Sequence, residues 1–143
     1  MSSRKIETAN KSILEIIKAS NNLLKIGDQF FKPFNITATQ YNVLVILKEN
    51  KKKISQQELG SQLVVTRSDI TGIVDRLEKY GYVKRVPHNS DRRIKLLEIT
   101  NKGNDLINLV EPQYFEKVNK IIKALSIEEL ENITFALKRF QLT

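Results

Sequence analysis

The sequence contains no cysteine, no tryptophan, one histidine and three prolines in 143 residues. Without cysteine the chain has no disulfide framework, no zinc ribbon, no catalytic thiol and no thiol-based redox switch. One imidazole, His88, cannot build a metal site without clustered carboxylates, so we expect no metal and no cofactor, and phosphate contact or solvent exposure for His88. No apolar run approaches the roughly 20 residues of a membrane span, so we expect no membrane partner.

Catalytic signatures are also missing. The five glycines never form a G-x-G phosphate loop, and neither G-x-S-x-G nor H-E-x-x-H occurs. We therefore expect a protein that is not an enzyme. The composition, with 41% hydrophobic and 28% charged residues, predicts a folded chain of one domain or two small lobes.

Positive charge is in excess and unevenly distributed. The 24 Lys and Arg against 16 Asp and Glu give a net charge of +8. Residues 51–100 hold 11 basic and 6 acidic side chains, whereas residues 101–143 hold 6 of each. A basic middle third favours a polyanionic partner, most simply nucleic acid, although a merely soluble basic surface gives the same count.

Hydrophobic periodicity predicts a mainly helical chain. Residues 5–31 carry apolar side chains at helical spacing, and Pro33 ends the segment. Later helices are expected to begin at capping boxes, where a Ser or Thr is followed three positions on by an acid or amide. The four boxes are Thr37 with Gln40, Ser55 with Glu58, Thr66 with Asp69, and Ser126 with Glu129. The predicted helices cover 38–49, 55 to about 64, 67–80, 102–125 and 126–140.

The period changes between Gly81 and Thr100. Residues 82–86 and 94–99 are typical of strands, and the residues between them favour a turn. A helix, a short helix and a helix followed by a hairpin form the winged variant of helix-turn-helix. We predict a mainly α (α+β) fold: an N-terminal dimerisation helix in 1–36, a winged helix-turn-helix DNA-binding domain in 37–100 and C-terminal dimerisation helices in 101–143. The flanking helices carry more apolar surface than one small module covers, which favours a second copy as partner.

The helix predicted over 67–80 has an apolar and a polar side. The polar side holds Ser68, Thr71, Gly72, Asp75 and Lys79, with Arg76 beside them. Small or polar residues near the N-terminus suit a helix that enters the DNA major groove. Gly72 costs the helix about 1 kcal/mol relative to alanine. Either close approach to DNA or packing against a neighbouring helix would explain it.

The predicted hairpin is strongly basic. Residues 84–95 carry five cationic side chains against Asp91 alone, which gives +4: Lys84, Arg85, Arg92, Arg93 and Lys95. Two arginines at a turn tip suit a narrow minor groove, whose negative potential is enhanced. A solvated basic loop is the alternative. Asp91 is expected to orient a neighbouring guanidinium group.

Five segments together resemble the MarR family of bacterial transcription regulators. They are residues 39–44 (TQYNVL), 55–60 (SQQELG), 74–83 (VDRLEKYGYV), 91–93 (DRR) and 97–103 (LEITNKG). The specific part is a D-x-R wing that follows a D-R-L-E-x-x-G helix end. The resemblance covers about residues 37–103, and the flanking helices fit the family's dimerisation region in length and pattern.

The resemblance implies a homodimeric regulator, expected to be a repressor, that binds a pseudo-palindromic operator in double-stranded DNA. The residues that would meet the major groove are Arg67, Ser68, Thr71, Gly72 and Arg76. Arg93 and Arg92 would reach the minor groove, and Lys84, Arg85 and Lys95 complete the basic hairpin. At position 72 the family often has a larger polar or basic residue.

Further roles follow from the same resemblance. Asp75 would pair with Arg93 and tie the wing to the recognition helix. Ser55 and Gln56, at a helix N-terminus, are suited to phosphate contact. Such a regulator would act in the bacterial cytoplasm, on the nucleoid through its DNA.

Many relatives release DNA when a small aromatic or phenolic compound binds. Here Phe30, Phe31, Phe34 and Tyr41 would line such a pocket, although an aromatic cluster at helical spacing also fits a plain core. From the residues alone, a different class of protein stays open: a winged-helix interaction module whose basic face binds an acidic partner.

Overall fold

The computed structural model describes residues 1–50, 52–63, 65 and 67–140. Within these ranges the chain is mostly helical and has three short strands. The elements are α1 (Ser3–Phe31), α2 (Ala38–Glu49), β1 (Ile54–Ser55), α3 (Gln56–Leu63), α4 (Arg67–Lys79), β2 (Val83–Pro87), β3 (Lys95–Ile99), α5 (Asn101–Ile122) and α6 (Ile127–Lys138). This order confirms the predicted winged helix-turn-helix fold with long flanking helices.

The chain divides into two compact units, Met1–Asn108 and Leu109–Thr143. The first unit contains α1 to β3 and the beginning of α5. The second contains the remainder of α5, in which Pro112 lies within the helix, and α6. All of the residues that we expected to bind DNA belong to the first unit.

Three of the four capping boxes are present. Thr37, Ser55 and Ser126 each accept a hydrogen bond from the backbone N–H three residues on, and each receives the side chain of that residue on its own N–H. These reciprocal bonds satisfy backbone donors that a helix N-terminus leaves unpaired. The fourth box depends on Thr66, which lies outside the described residues.

The sheet has three antiparallel strands in the order β1–β3–β2, not the two strands of the predicted hairpin. Leu97 of β3 is the centre of the sheet, because it stands opposite Ile54 on one side and Arg85 on the other. Strand β1 is only two residues long, so it has no alternation that a sequence pattern can show.

Strand β2 begins one residue later than predicted because Tyr82 takes part in the C-terminal cap that follows α4. Gly81 has φ +78°, its N–H donates to the Glu78 carbonyl, and the Tyr82 N–H donates to the Leu77 carbonyl. These two bonds form the Schellman arrangement, which favours glycine in the left-handed position. Helices α5 and α6 end earlier than predicted, at Ile122 and Lys138.

The core of the first unit is formed where α2 meets its neighbours. Helix α2 packs against α1, α3, α4 and β3, and α4 also packs against α3 and β2. The buried apolar side chains of these elements include Phe31, Tyr41, Leu44, Leu47, Leu59, Ile70, Val74, Leu77, Val83 and Leu97. Helix α4 is therefore held by its inner side, and its outer side is free of the core.

Candidate nucleic-acid interface

Helix α4 presents the exposed polar side that the sequence predicts. Ile70, Val74 and Leu77 are buried. The residues on the opposite side are exposed: Arg67, Ser68, Thr71, Gly72, Asp75, Arg76 and Lys79. The helix is 13 residues long, which is enough to lie along a major groove.

Gly72 faces open space. Apart from Thr71, Ile73 and the backbone of the helix itself, no atom of the described residues lies within 4 Å of the point where a Cβ atom of residue 72 would stand. The interpretation that this glycine allows close packing of a neighbouring helix is therefore wrong. What the glycine provides is a flat spot on the exposed side of α4, where another molecule can approach the backbone closely.

Arg85 of β2 is the centre of a polar cluster, the Arg85 cluster, formed with Gln56, Asp75 and Glu78. Its Nη2 lies 2.6 Å from Asp75 Oδ1, and its Nη1 lies 2.8 Å from Glu78 Oε1. The other Glu78 oxygen accepts the Arg85 backbone N–H, at 3.1 Å. Gln56 Oε1 accepts from Nη2 at 3.2 Å and, more weakly, from Nε at 3.4 Å. The cluster therefore joins α3, α4 and β2.

This cluster corrects the expected pairing of Asp75 with Arg93. Among the described residues these two do not pair: Asp75 binds Arg85, and Arg93 binds Asp91. The reason is position along the hairpin. Arg85 follows the helix end by a few residues and stands beside α4, whereas Arg93 belongs to the turn at the far end of the hairpin.

The side-chain amide of Gln56, a residue that we expected to contact phosphate, makes hydrogen bonds at both its oxygen and its nitrogen. Its Oε1 faces Arg85, and its Nε2 donates to Thr71 Oγ1 at 2.8 Å. Ser55, the neighbouring residue, caps α3 by accepting the Glu58 N–H at 3.1 Å. Its hydroxyl proton is not used in that bond, so Ser55 still has a donor for a phosphate oxygen.

The turn of the wing is organised by Asp91. Asp91 Oδ1 accepts the Arg93 backbone N–H at 2.9 Å and Arg93 Nε at 3.2 Å. These two bonds, the backbone one first, hold the pKa of the Asp91 carboxyl below its ordinary value. The Arg93 side chain nevertheless remains 91% exposed, so Asp91 orients its guanidinium group without covering it.

The remaining cations of the hairpin are also at the surface. Arg92 and Lys95 are exposed, and Lys84 is exposed although its Nζ lies 3.3 Å from Glu98 Oε2. Arg85 differs from them, because its side chain is only 20% exposed and its donors are used inside the protein. Arg85 is therefore the least exposed cation of the hairpin, and a DNA contact by Arg85 stays a prediction.

His88 is engaged within the turn. Its Nδ1 accepts the Ser90 backbone N–H at 3.1 Å and lies 3.0 Å from Ser90 Oγ. Over the described ranges, no group of three or more His, Cys, Asp or Glu side chains is arranged to hold a metal ion. The helices of the same ranges include none that combines the length and apolarity of a membrane span.

Two rings of the aromatic cluster, those of Phe31 and Tyr41, belong to the core, whereas Phe30 and Phe34 are half-buried. Phe31 is fully buried and stacks on Tyr41, with ring centroids 4.5 Å apart, and Phe30 meets Phe31 edge-on at 4.9 Å. A cleft of about 530 Å³ lies nearby, but none of Phe30, Phe31, Phe34 and Tyr41 lines it. Its wall combines three cationic side chains, Lys32, Arg76 and Lys79, and one carboxylate, Asp28, with Ile36, Tyr80 and neutral polar groups.

Sequence reasoning missed two parts of this region: strand β1 and the carboxylate of Glu78. Asp75 and Glu78 are three residues apart on α4 and therefore face the same way. A pair of acids at this spacing, shortly before a basic strand, is a signal that could have identified Glu78. Strand β1 left no comparable signal.

An exposed polar helix held by its inner face, followed by a basic hairpin, defines a DNA-binding protein of the winged helix-turn-helix class. The family model of the MarR family matches residues 36–95. The HTH-type transcriptional regulator MhqR of Bacillus subtilis (strain 168) is 31% identical over 132 residues, which cover 90% of each chain. The chain belongs to the MarR family, and it is a transcriptional regulator and not an enzyme.

Two solved structures are similar over most of their length. The transcriptional regulator BldR from Sulfolobus solfataricus has a TM-score of 0.85 and 28% identity, and the match covers 97% of this chain and 99% of BldR. NadR in complex with 4-hydroxyphenylacetate has a TM-score of 0.77 and 28% identity, and the match covers 89% of each chain.

Proposed function

We propose that the chain is a repressor that binds a pseudo-palindromic operator as a homodimer in the bacterial cytoplasm. The observation that carries this proposal is the exposed side of α4 beside a wing whose arginines extend into solvent. Two such helices, one in each copy, would enter consecutive major grooves about 34 Å apart. A dimer bound across a promoter blocks access of polymerase to the same DNA.

The proposed contacts divide by groove. Arg67, Ser68, Thr71 and Arg76 would face the major groove, with Gly72 permitting the approach. Arg92 and Arg93 would enter the minor groove, where a narrow A·T-rich segment attracts guanidinium groups most strongly. Ser55, Lys84 and Lys95 would contact phosphates, which position a protein on the duplex without reading its sequence.

The homodimer is supported by apolar surface on both flanking segments, 1–36 and 101–143. On α1 the apolar residues are at least one-third exposed although they recur at helical spacing: Ile6, Ile13, Ile16, Ile17, Leu23 and Leu24. In the second unit, Phe115, Ile127, Phe135 and Phe140 are more than half exposed. Exposed apolar side chains in this number are typical of a protein interface.

We also propose a small phenolic or aromatic carboxylate as effector. NadR, a neighbour at 28% identity, was solved with such a compound. In this chain the cleft with Lys32, Arg76 and Lys79 offers the matching chemistry, because its cations suit a carboxylate and Ile36 and Tyr80 suit a ring. Its volume is within the range of small-molecule sites. An acid bound to Arg76 would compete with DNA for the same guanidinium group.

The test is selection of a binding sequence from random duplex DNA, followed by titration of the selected duplex. We expect a palindromic sequence that binds at least about 10³-fold more tightly than random duplex. Contact with 6–10 phosphates predicts a loss of affinity of about 10³- to 10⁵-fold between 50 and 200 mM salt. If no DNA sequence is enriched and the same basic face instead binds an acidic protein, the interaction-module hypothesis is supported.

A further inference from the structure

Thr71 lies on the exposed side of α4, yet its hydroxyl group is used inside the protein. The oxygen accepts from Gln56 Nε2 at 2.8 Å, and the hydroxyl donates to the Arg67 carbonyl oxygen at 2.9 Å. A threonine hydroxyl has a single proton. The proton of Thr71 is therefore committed to the helix backbone, and Thr71 has no donor left for a DNA base.

The Arg85 cluster fixes this arrangement. A guanidinium group carries only donors, so the Gln56 amide must turn its oxygen toward Arg85. Its NH₂ group then points to Thr71, which must act as the acceptor. The acceptor of the Thr71 proton is a carbonyl oxygen, which has no proton of its own to give. Each donor and acceptor in the series from Arg85 to Arg67 is thus determined by chemistry alone.

What Thr71 still offers to a partner is its methyl group, together with one lone pair. Threonine is short, so its methyl group contacts a base only if the helix comes close. Gly72, the next residue on the same exposed side, leaves open space where a side chain would otherwise keep the helix away. A methyl group on a closely approaching helix is suited to the C5-methyl group of thymine in the major groove.

We propose that Thr71 reads a thymine methyl group in each half of the operator, and that Arg85 acts as a positioning residue for this contact through Gln56. The inference rests on the proposed operator binding. It assigns to Thr71 an apolar contact, whereas the residue type alone suggests a hydrogen bond. It also makes the Arg85 cluster a determinant of sequence specificity and not only of wing position.

The experiment replaces each thymine of the selected duplex in turn by deoxyuridine, which removes the C5-methyl group and leaves the hydrogen-bonding edge unchanged. Loss of one buried methyl contact should weaken binding about fourfold for each half-site. We expect this loss at one symmetry-related pair of positions. Equal affinity for thymine and deoxyuridine at every position would overturn the inference while leaving operator binding intact.

Two variants of Thr71 assign the contact. Thr71→Ser keeps the hydroxyl group and removes the methyl group, so it should bind both duplexes equally. Thr71→Val keeps a methyl group but loses the bond to Gln56, so its preference for thymine should fall only as far as that of Gln56→Leu and should not vanish. If Thr71→Ser keeps the parent's preference, the methyl group is read by another residue and the inference is wrong. If no duplex is selected at all, it is the proposed function that fails.

The positioning role has its own readout. Arg85→Met should lower the preference for thymine over deoxyuridine, because Gln56 is then free to turn away from Thr71. Gln56→Leu should do the same without removing the charge. Lys84→Met, at the exposed neighbouring position, should weaken binding to the thymine duplex and to the deoxyuridine duplex equally. An unchanged preference in both Arg85→Met and Gln56→Leu would exclude the cluster from base recognition.

Discussion

Asp75 Oδ1 lies 2.6 Å from Arg85 Nη2, so the recognition helix is tied to the first strand of the hairpin and not to its tip. The consequence concerns the wing. Among the residues that the structure describes, Arg93 bonds through its guanidinium group to Asp91 alone, two residues away in the same turn. One arginine thus fixes the base of the wing, and the other remains available at its end.

This division predicts which residues are coupled energetically. In a double-mutant cycle on the free energy of unfolding, Asp75→Ala and Arg85→Met should show a coupling of about 0.5–1 kcal/mol, since the pair is close but partly exposed. The cycle of Asp75→Ala with Arg93→Ala is the matched control and should stay below about 0.3 kcal/mol. Urea denaturation measures both. A larger coupling for Arg93 would restore the pairing that the structure contradicts.

Arg93→Ala separates DNA binding from stability. Because the side chain is 91% exposed, its removal should change the free energy of unfolding by less than about 0.5 kcal/mol. Operator affinity should fall, and the slope of log K against log salt should decrease in magnitude by about two, one for each copy of the chain. Fluorescence anisotropy at several salt concentrations gives the slope. An unchanged slope would remove Arg93 from the interface.

Asp91 should titrate below the ordinary range for an aspartate, because the Arg93 N–H and side chain both donate to its charged form. Because the pKa is lowered, the ionised carboxylate stabilises the turn fully at pH values above the ordinary aspartate pKa. This contribution is lost as the pH falls through the lowered pKa. Arg93→Ala should raise the pKa only part of the way, since the backbone bond, the larger cause, remains. Carboxyl ¹³C chemical shifts measure the midpoint. A full return to the ordinary value would assign the effect to the side chain alone.

Replacement by alanine should change the free energy of unfolding in opposite directions at two glycines, Gly72 and Gly103. Gly72→Ala has open space, so it should stabilise the fold by about 0.5–1 kcal/mol while weakening operator binding. Gly103→Ala should destabilise it by about 1–3 kcal/mol, because the new Cβ would stand 2.7 Å from Ile99 Cγ1 and overlap the Tyr82 carbonyl oxygen. Thermal unfolding and anisotropy measure the two effects. Tighter DNA binding by Gly72→Ala would contradict close approach at this position.

The parts that could be predicted from the sequence are those that depend on local chemistry. The reciprocal bonds of Thr37 with Gln40 and of Ser126 with Glu129 join residues three positions apart, so the residue types alone predict them. The partner of Asp75 is different. Arg85 and Arg93 are equally plausible in sequence terms, and only the packing of β2 beside α4 selects between them. Likewise, the engaged hydroxyl of Thr71 depends on a residue 15 positions away.

The proposed dimer makes the apolar side of α1 essential for DNA binding. Ile13 is 41% exposed in the single chain, so an added charge is tolerated there unless a second copy covers it. Ile13→Asp should therefore leave the helix content unchanged, shift the chain to monomer in sedimentation equilibrium and abolish cooperative binding to two half-sites. Asn22→Asp adds the same charge on the opposite side of α1 and should remain dimeric. If Ile13→Asp remains dimeric and still binds its operator, this side of α1 is not the interface, and the apolar residues of α5 and α6 must supply it.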